Sequence, residues 1–189
     1  MDEQAVDYLR AFLDAVGLDE RADPELADTP GRVTELFGEL FSGLTADPPE
    51  PSTFSTPESH RRADPVIISA IPFQSMCVHH LLPFFGAVDV AYLPGDEMVG
   101  FGSIGRIVDH FARRPQVQER MIAQIADHLE RTIELDGLLI RLRARQLCME
   151  MRGAKKRGEL VSIAARGELI DGPRRTELLQ QFQRAEKPL

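Results

Sequence analysis

The sequence predicts an α+β protein built on an antiparallel sheet. Two observations carry that expectation. Strand-like apolar runs and helix-like periodicities are grouped along the chain: Val66 to Phe73 and Phe84 to Leu93 come first, two helical periods follow, and Leu138 to Met149 and Gly158 to Leu169 return as strand. The first two runs flank one short loop and read as a hairpin. Ahead of them lies a helical, then Pro-rich, segment. Residues 1–64 therefore read as an N-terminal helical arm and linker, and residues 65–189 as the main domain.

Each element has its own signal. Val6, Leu9, Phe12, Leu13 and Val16 recur at helical spacing over residues 4–16, with Gly17 placed to end the helix. Asp28 or Thr29 can cap a second helix that has Pro30 in its first turn. Val33, Leu36, Phe37, Leu40 and Phe41 form its apolar face, and Gly43 ends it. Pro48, Pro49, Pro51, Pro57 and the nearby Pro65, five of the 13 prolines, make residues 45–64 a linker or surface loop. Pro94-Gly95-Asp96-Glu97 is a turn, after which Met98 to Phe101 returns as a short strand. Ile104, Ile107, Val108 and Phe111 define a helix over 103–113, and Pro115 breaks it. Val117, Met121, Ile125, Leu129 and Ile133 face inward from a longer helix over 116–135. Pro173 to Lys187 reads as an amphipathic surface helix.

Composition narrows the function. A net charge of −8 disfavours nucleic acid and anionic membranes as partners. Two cysteines are too few for a disulfide framework. The start of the chain is acidic and polar, unlike a signal peptide, and no apolar run reaches the ~18 residues of a membrane span. A cytoplasmic location is expected.

The loop between the first two strands is Ser75-Met76-Cys77-Val78-His79-His80. A thiol and an imidazole this close can reach one metal ion, and zinc favours that mixture. The second cysteine, Cys148, lies in the third strand-like run. Cys77, His80 and Cys148 would make three protein ligands and leave a fourth position for water, as in catalytic zinc sites. Read alone, C-x-x-H is a weak signal, and Cys148 is equally a small buried hydrophobe.

Five stretches, taken in order, say more. They are Asp28-Thr29-Pro30-Gly31-Arg32-Val33, Cys77-Val78-His79-His80, Gly100 to Arg106, Arg114-Pro115-Gln116-Val117-Gln118-Glu119-Arg120, and Cys148-Met149-Glu150-Met151-Arg152-Gly153. Together they resemble the GTP cyclohydrolase I family from about residue 5 to about residue 170. The resemblance implies the tunnelling fold: antiparallel sheet backed by paired helices, assembled as an oligomeric barrel, here with an N-terminal helical extension. It also implies a homodecamer of two pentamers with active sites at subunit interfaces. The implied reaction starts with attack of water at C8 of the guanine of GTP. The imidazole ring opens, formate is lost, and rearrangement of the ribose yields dihydroneopterin triphosphate.

By the same resemblance Cys77, His80 and Cys148 bind Zn2+, and His79 is the acid or base beside the ring. Gln118 and Glu119 read the guanine edge, where a carboxylate accepts two N–H groups and rejects adenine. Arg32, Arg106 and Arg152 hold the triphosphate, for which the guanidinium fork is suited.

Two departures from the family pattern stand out. The family carries a histidine two residues before the second cysteine ligand; here it is Gln146, which strand alternation would put on the face of Cys148. Glutamine can hydrogen-bond in the site but cannot shuttle a proton. The family's Ser-Lys-Ile-x-Arg is Gly102-Ser103-Ile104-Gly105-Arg106, so one cation is missing. The reaction is therefore expected either to reach the pterin or to stop at a formamidopyrimidine or diaminopyrimidine nucleotide. The competing reading is a catalytically silent paralogue that binds a purine nucleotide or regulates a partner.

Overall fold

A computed structural model describes residues 3–57 and 64–185. Residues 58–63 of the expected linker and 186–187 of the expected tail helix lie outside the described residues. The centre is a five-stranded sheet in the order β5-β2-β3-β6-β7. Strands β2 (Val66–Cys77), β3 (Pro83–Pro94), β6 (Leu135–Gln146) and β7 (Glu159–Gly167) are mutually antiparallel. The two-residue β5 (Pro115–Gln116) adds in parallel to the end of β2.

Alternation along β3 sorts the two faces. Val88, Val90 and Tyr92 meet Leu138, Ile140 and Leu142 of β6 beneath helices α3 (Phe101–Ala112) and α4 (Gln118–Thr132). Ile104, Ile107, Val108 and Phe111 of α3, with Met121, Ile125 and Leu129 of α4, are buried there, as their spacing predicts. Ala91 and Leu93 turn to the opposite face, where they meet Leu139, Leu169 and two residues of helix α6 (Gly172–Arg184). Those two, Leu178 and Phe182, are essentially inaccessible. The tail expected as a surface helix is thus anchored into a second small core.

A buried ion pair braces this face. The Arg141 guanidinium donates to Asp89 at 2.8 and 3.0 Å and to the Phe182 carbonyl at 2.7 Å. The other Asp89 oxygen accepts the backbone N–H of Ala70 at 2.9 Å. Ala70 has φ +59° in the bulge where the β2–β3 register shifts between Ile68 and Ile71. A left-handed alanine costs about 1–2 kcal/mol, and the buried carboxylate offsets this by holding its N–H.

The N-terminal arm packs α1 (Glu3–Ala15) against α2 (Thr29–Leu40). Asp28 precedes α2 as expected but makes no side-chain cap; its carboxylate pairs instead with Arg32, one turn on, at 3.2 Å. The Pro-rich segment contains an unforeseen strand, β1 (Thr53–Ser55), paired with β4 (Glu97–Val99). Gly43 sits flush against the end of α3, where a Cβ would strike the His110 and Arg113 carbonyls.

Candidate metal centre and substrate site

Three elements converge at one end of the sheet because the register brings them there. Cys77 is the last residue of β2, and its neighbour Met76 pairs with Pro83 at the start of β3. Phe84 pairs with Gln146, the last residue of β6, so the chain after β6 emerges beside the hairpin loop. Cys77 also pairs with Gln116 of β5, which delivers the start of α4 to the same place.

The hairpin loop closes tightly. The Leu81 N–H donates to the Cys77 carbonyl at 2.8 Å, and the Cys77 N–H donates to the Leu82 carbonyl at 2.9 Å. Cys77 is 6% exposed, while His79 and His80 are open to solvent. The Cys77 Sγ lies 3.8 Å from His79 Nδ1 and 3.9 Å from His80 Nδ1. Donor atoms of Cys77, His80 and Cys148 all lie within 4.8 Å of one another. His79, despite its approach to Cys77, is not part of that mutual group. Both cysteines are free thiols.

The donor chemistry fits zinc. With Zn–S of about 2.3 Å and Zn–N of about 2.0–2.1 Å, tetrahedral ligation needs sulfur–nitrogen separations of about 3.5 Å. The 3.9 Å between Cys77 Sγ and His80 Nδ1 is within a small side-chain adjustment of that value. Burial, and then the adjacent Cys77 sulfur, push the Cys148 thiol above its ordinary pKa. A cation bound between them would reverse that preference, since thiolates are the ligating form.

Cys148 is not on a strand. Strand β6 ends at Gln146 and the chain turns into the one-turn helix α5 (Leu147–Glu150). Alternation therefore does not relate Gln146 to Cys148. The Gln146 amide instead donates to Gln118 Oε1 at 3.0 Å. Gln118, 2% exposed, gives its own amide N–H groups to the Leu142 and Leu160 carbonyls and to Ser162 Oγ. It ties the start of α4 to β6 and β7. Glu119, next to it in the first turn of α4, is exposed.

The three arginines are spread out. Arg106 on α3 is exposed and donates to Ser103 Oγ at 2.9 Å. Arg152 is exposed just after α5 and close enough for its charge to favour the Cys148 thiolate. Arg32 is exposed on α2 beside Asp28. A cleft of about 450 Å³ lies between α2, α3 and the hairpin, lined by Glu39, Gln74, Phe85, Asp109 and Arg113 among others. None of the candidate site residues lines it, and the thiol–imidazole cluster holds the groups with metal chemistry.

Two supporting residues escaped the sequence reading. Arg145 grips Glu150 through two hydrogen bonds, at 3.0 and 2.6 Å, and so clasps α5 with Cys148 onto the end of β6. That bond holds the Glu150 carboxyl below its usual pKa. An Arg and a Glu five residues apart across a strand end were the available signal. The other is Ser103, whose hydroxyl is 2.9 Å from both Arg106 Nη2 and the Ser52 N–H.

A family model described as GTP cyclohydrolase I matches residues 5–183. Among curated relatives, a GTP cyclohydrolase 1 of Dehalococcoides mccartyi (strain ATCC BAA-2266 / KCTC 15142 / 195) is 42% identical over 167 residues, covering 87% of each chain. One of Geobacillus kaustophilus is 43% identical over 151 residues, 79% of each chain. One of Streptococcus agalactiae serotype Ia is 46% identical over 149 residues, 78% of each. Among solved structures, an apo archaeosine synthase QueF-like protein aligns at a TM-score of 0.40 and 14% identity, covering 53% of this chain and 92% of its own.

Proposed function

Given that the chain belongs to the GTP cyclohydrolase I family, we propose that it opens the imidazole ring of GTP by zinc-dependent hydrolysis at C8. It is an enzyme of the GTP cyclohydrolase I type, a hydrolase acting on cyclic amidines. The observation that carries the finer reading is the mutual approach of Cys77, His80 and Cys148, within 4.8 Å, on the motifs that resemble the family's ligands.

In this reading Cys77, His80 and Cys148 hold the ion. When bound, zinc supplies Lewis-acid activation of water at neutral pH. His79, exposed beside the cluster, exchanges a proton with the attacked ring. Glu119 accepts the guanine N1 and exocyclic amine protons; Gln118, expected to read the same edge, has its side-chain amide bonded to Leu142, Leu160, Ser162 and Gln146, and so supports the site by keeping the Gln146 amide turned toward α4. Arg32, Arg106 and Arg152 meet the phosphates. Arg32 stands on the exposed arm, which suits a site completed between subunits of a homodecamer. His79, unlike Gln146, can transfer a proton, so ring opening proceeds and the later proton transfers are slow. A missing acid–base group costs about 10²–10⁴ in rate. Ring-opened formamidopyrimidine or diaminopyrimidine nucleotide is therefore the expected main product, with formate released where hydrolysis continues.

Mass spectrometry of products from zinc-loaded protein and GTP tests this. The ring-opened nucleotide should dominate, and Gln146→His should shift output toward dihydroneopterin triphosphate. Dihydroneopterin triphosphate as the sole product of the unmodified protein, without a lag, would contradict the block at Gln146. The silent-paralogue reading draws on Gln146 and on Ser103 at the family's lysine position. It would stand if neither protein consumed any guanine nucleotide.

A further inference from the structure

Ser103 occupies the position where the family pattern carries lysine, and it is only 2% exposed. Its hydroxyl accepts two hydrogen bonds, one from the Ser52 backbone N–H at 2.9 Å and one from Arg106 Nη2 at 2.9 Å. A serine oxygen has two lone pairs, and these two donors take both. Arg106 itself is exposed one turn further along α3, and its Nη1 lies 3.5 Å from the place a Cβ on Gly102 would occupy. The guanidinium therefore lies back over the start of α3, fixed through one nitrogen to a buried acceptor. An exposed arginine otherwise samples many rotamers, and holding the fork in one pose removes that loss from the binding event.

We propose that Ser103 is a positioning residue for substrate phosphates, acting through Arg106. The chain substitutes a fixed guanidinium for the second cation that the family places here. This rests on the reading that Arg106 meets the triphosphate of GTP. A lysine at 103 would remove the acceptor that holds both Arg106 and the Ser52 N–H.

The test is a double-mutant cycle read by calorimetric binding of GTP to the chelator-stripped full-length protein, in which GTP is not turned over, with guanosine as the phosphate-free control and thermal unfolding followed in every variant. Arg106→Ala should weaken GTP binding about 10- to 100-fold, the range for one lost charge-assisted contact. Ser103→Ala should weaken it about 5- to 10-fold, and Ser103→Thr, which keeps the hydroxyl, should restore it. Neither alanine variant should change guanosine binding. In the Arg106→Ala background Ser103→Ala should change GTP affinity less than about two-fold, since its route is already gone. An equal loss from Ser103→Ala in both backgrounds would show that it acts through the Ser52 tether or the fold, and would overturn the proposal. So would no loss from Ser103→Ala where Arg106→Ala loses affinity. Unchanged GTP binding in Arg106→Ala would instead remove the underlying phosphate assignment, and the proposal with it. Should Ser103→Ala not fold, Ser103→Cys, close in volume but a weak acceptor, gives the same reading.

Discussion

At the scale of single residues, the clustering of Cys77, His80 and Cys148 was legible because chemistry and scarcity coincided. With two cysteines in the chain, only Cys77 and Cys148 could supply a thiolate, and the structure brings them and His80 within 4.8 Å. The choice of His80 over His79 rested on the weak C-x-x-H spacing and then on the resemblance; in the structure the loop closed by the Cys77–Leu81 and Cys77–Leu82 hydrogen bonds has His80, and not His79, in the mutual group. Gln146 was misread because alternation was extended through a strand that ends there; a tight turn has no period-2 signal to betray it. Gln118 and Gln146 contact each other, a pairing that no local pattern announces across 28 residues. If the trio binds zinc, Cys148→Ser should leave a purified protein with far less than one zinc per chain by elemental analysis. Stoichiometric metal in that variant would contradict the assignment.

At the scale of elements, α3 and α4 were readable from their apolar spacing, whereas the fastening of the arm to them was not. The fastening is polar and long-range. Arg114 donates to the Gly43 carbonyl at 2.6 Å and, through the same nitrogen, to His110 Nε2 at 2.7 Å. His128 donates to the Pro49 carbonyl at 3.1 Å. His110 must be neutral to accept from Arg114. Burial first, then the charges of Arg114 and His128, hold its pKa below the ordinary 6.5, with Asp47 opposing. The sign follows from proton counting. Above about pH 6.5 the unfolded histidine is neutral too, so the native state keeps its full advantage. As pH falls through that value the unfolded chain takes up a proton the folded chain refuses, and stability declines until the lowered native pKa is passed. Urea unfolding between about pH 5 and 8 should show this decline, and His110→Gln, whose amide oxygen can still accept from Arg114, should flatten it. The same slope in both proteins would remove His110 from the account.

At the scale of the whole molecule, the α+β class and the antiparallel sheet followed from the grouping of runs along the chain, and the backing of that sheet by helices from the family resemblance. The second core under α6 did not, because Leu178 and Phe182 in a polar tail look like the inner edge of any surface helix. No described helix is long and apolar enough to cross a membrane. Several large apolar side chains remain open on this single chain: Tyr8 and Phe12 on α1, and Val161 and Ile163 on the edge strand β7. An edge strand with exposed apolar residues, and with one edge unpaired among the described residues, is a surface that chains cover by pairing. Sedimentation at micromolar concentration should therefore give an assembly, ten chains on the family's pattern, and a monomer would contradict that pattern. The proposed zinc-dependent hydrolysis at C8 has an isotopic readout. It is tested most directly with GTP isotopically labelled at C8, incubated with the zinc-loaded protein and with the same protein stripped by a chelator. Label should leave the purine in the zinc-loaded sample, as ring-opened formamide or as formate, and stay in intact GTP in the stripped one. Release of label at equal rates with and without metal, or from neither sample, would contradict it.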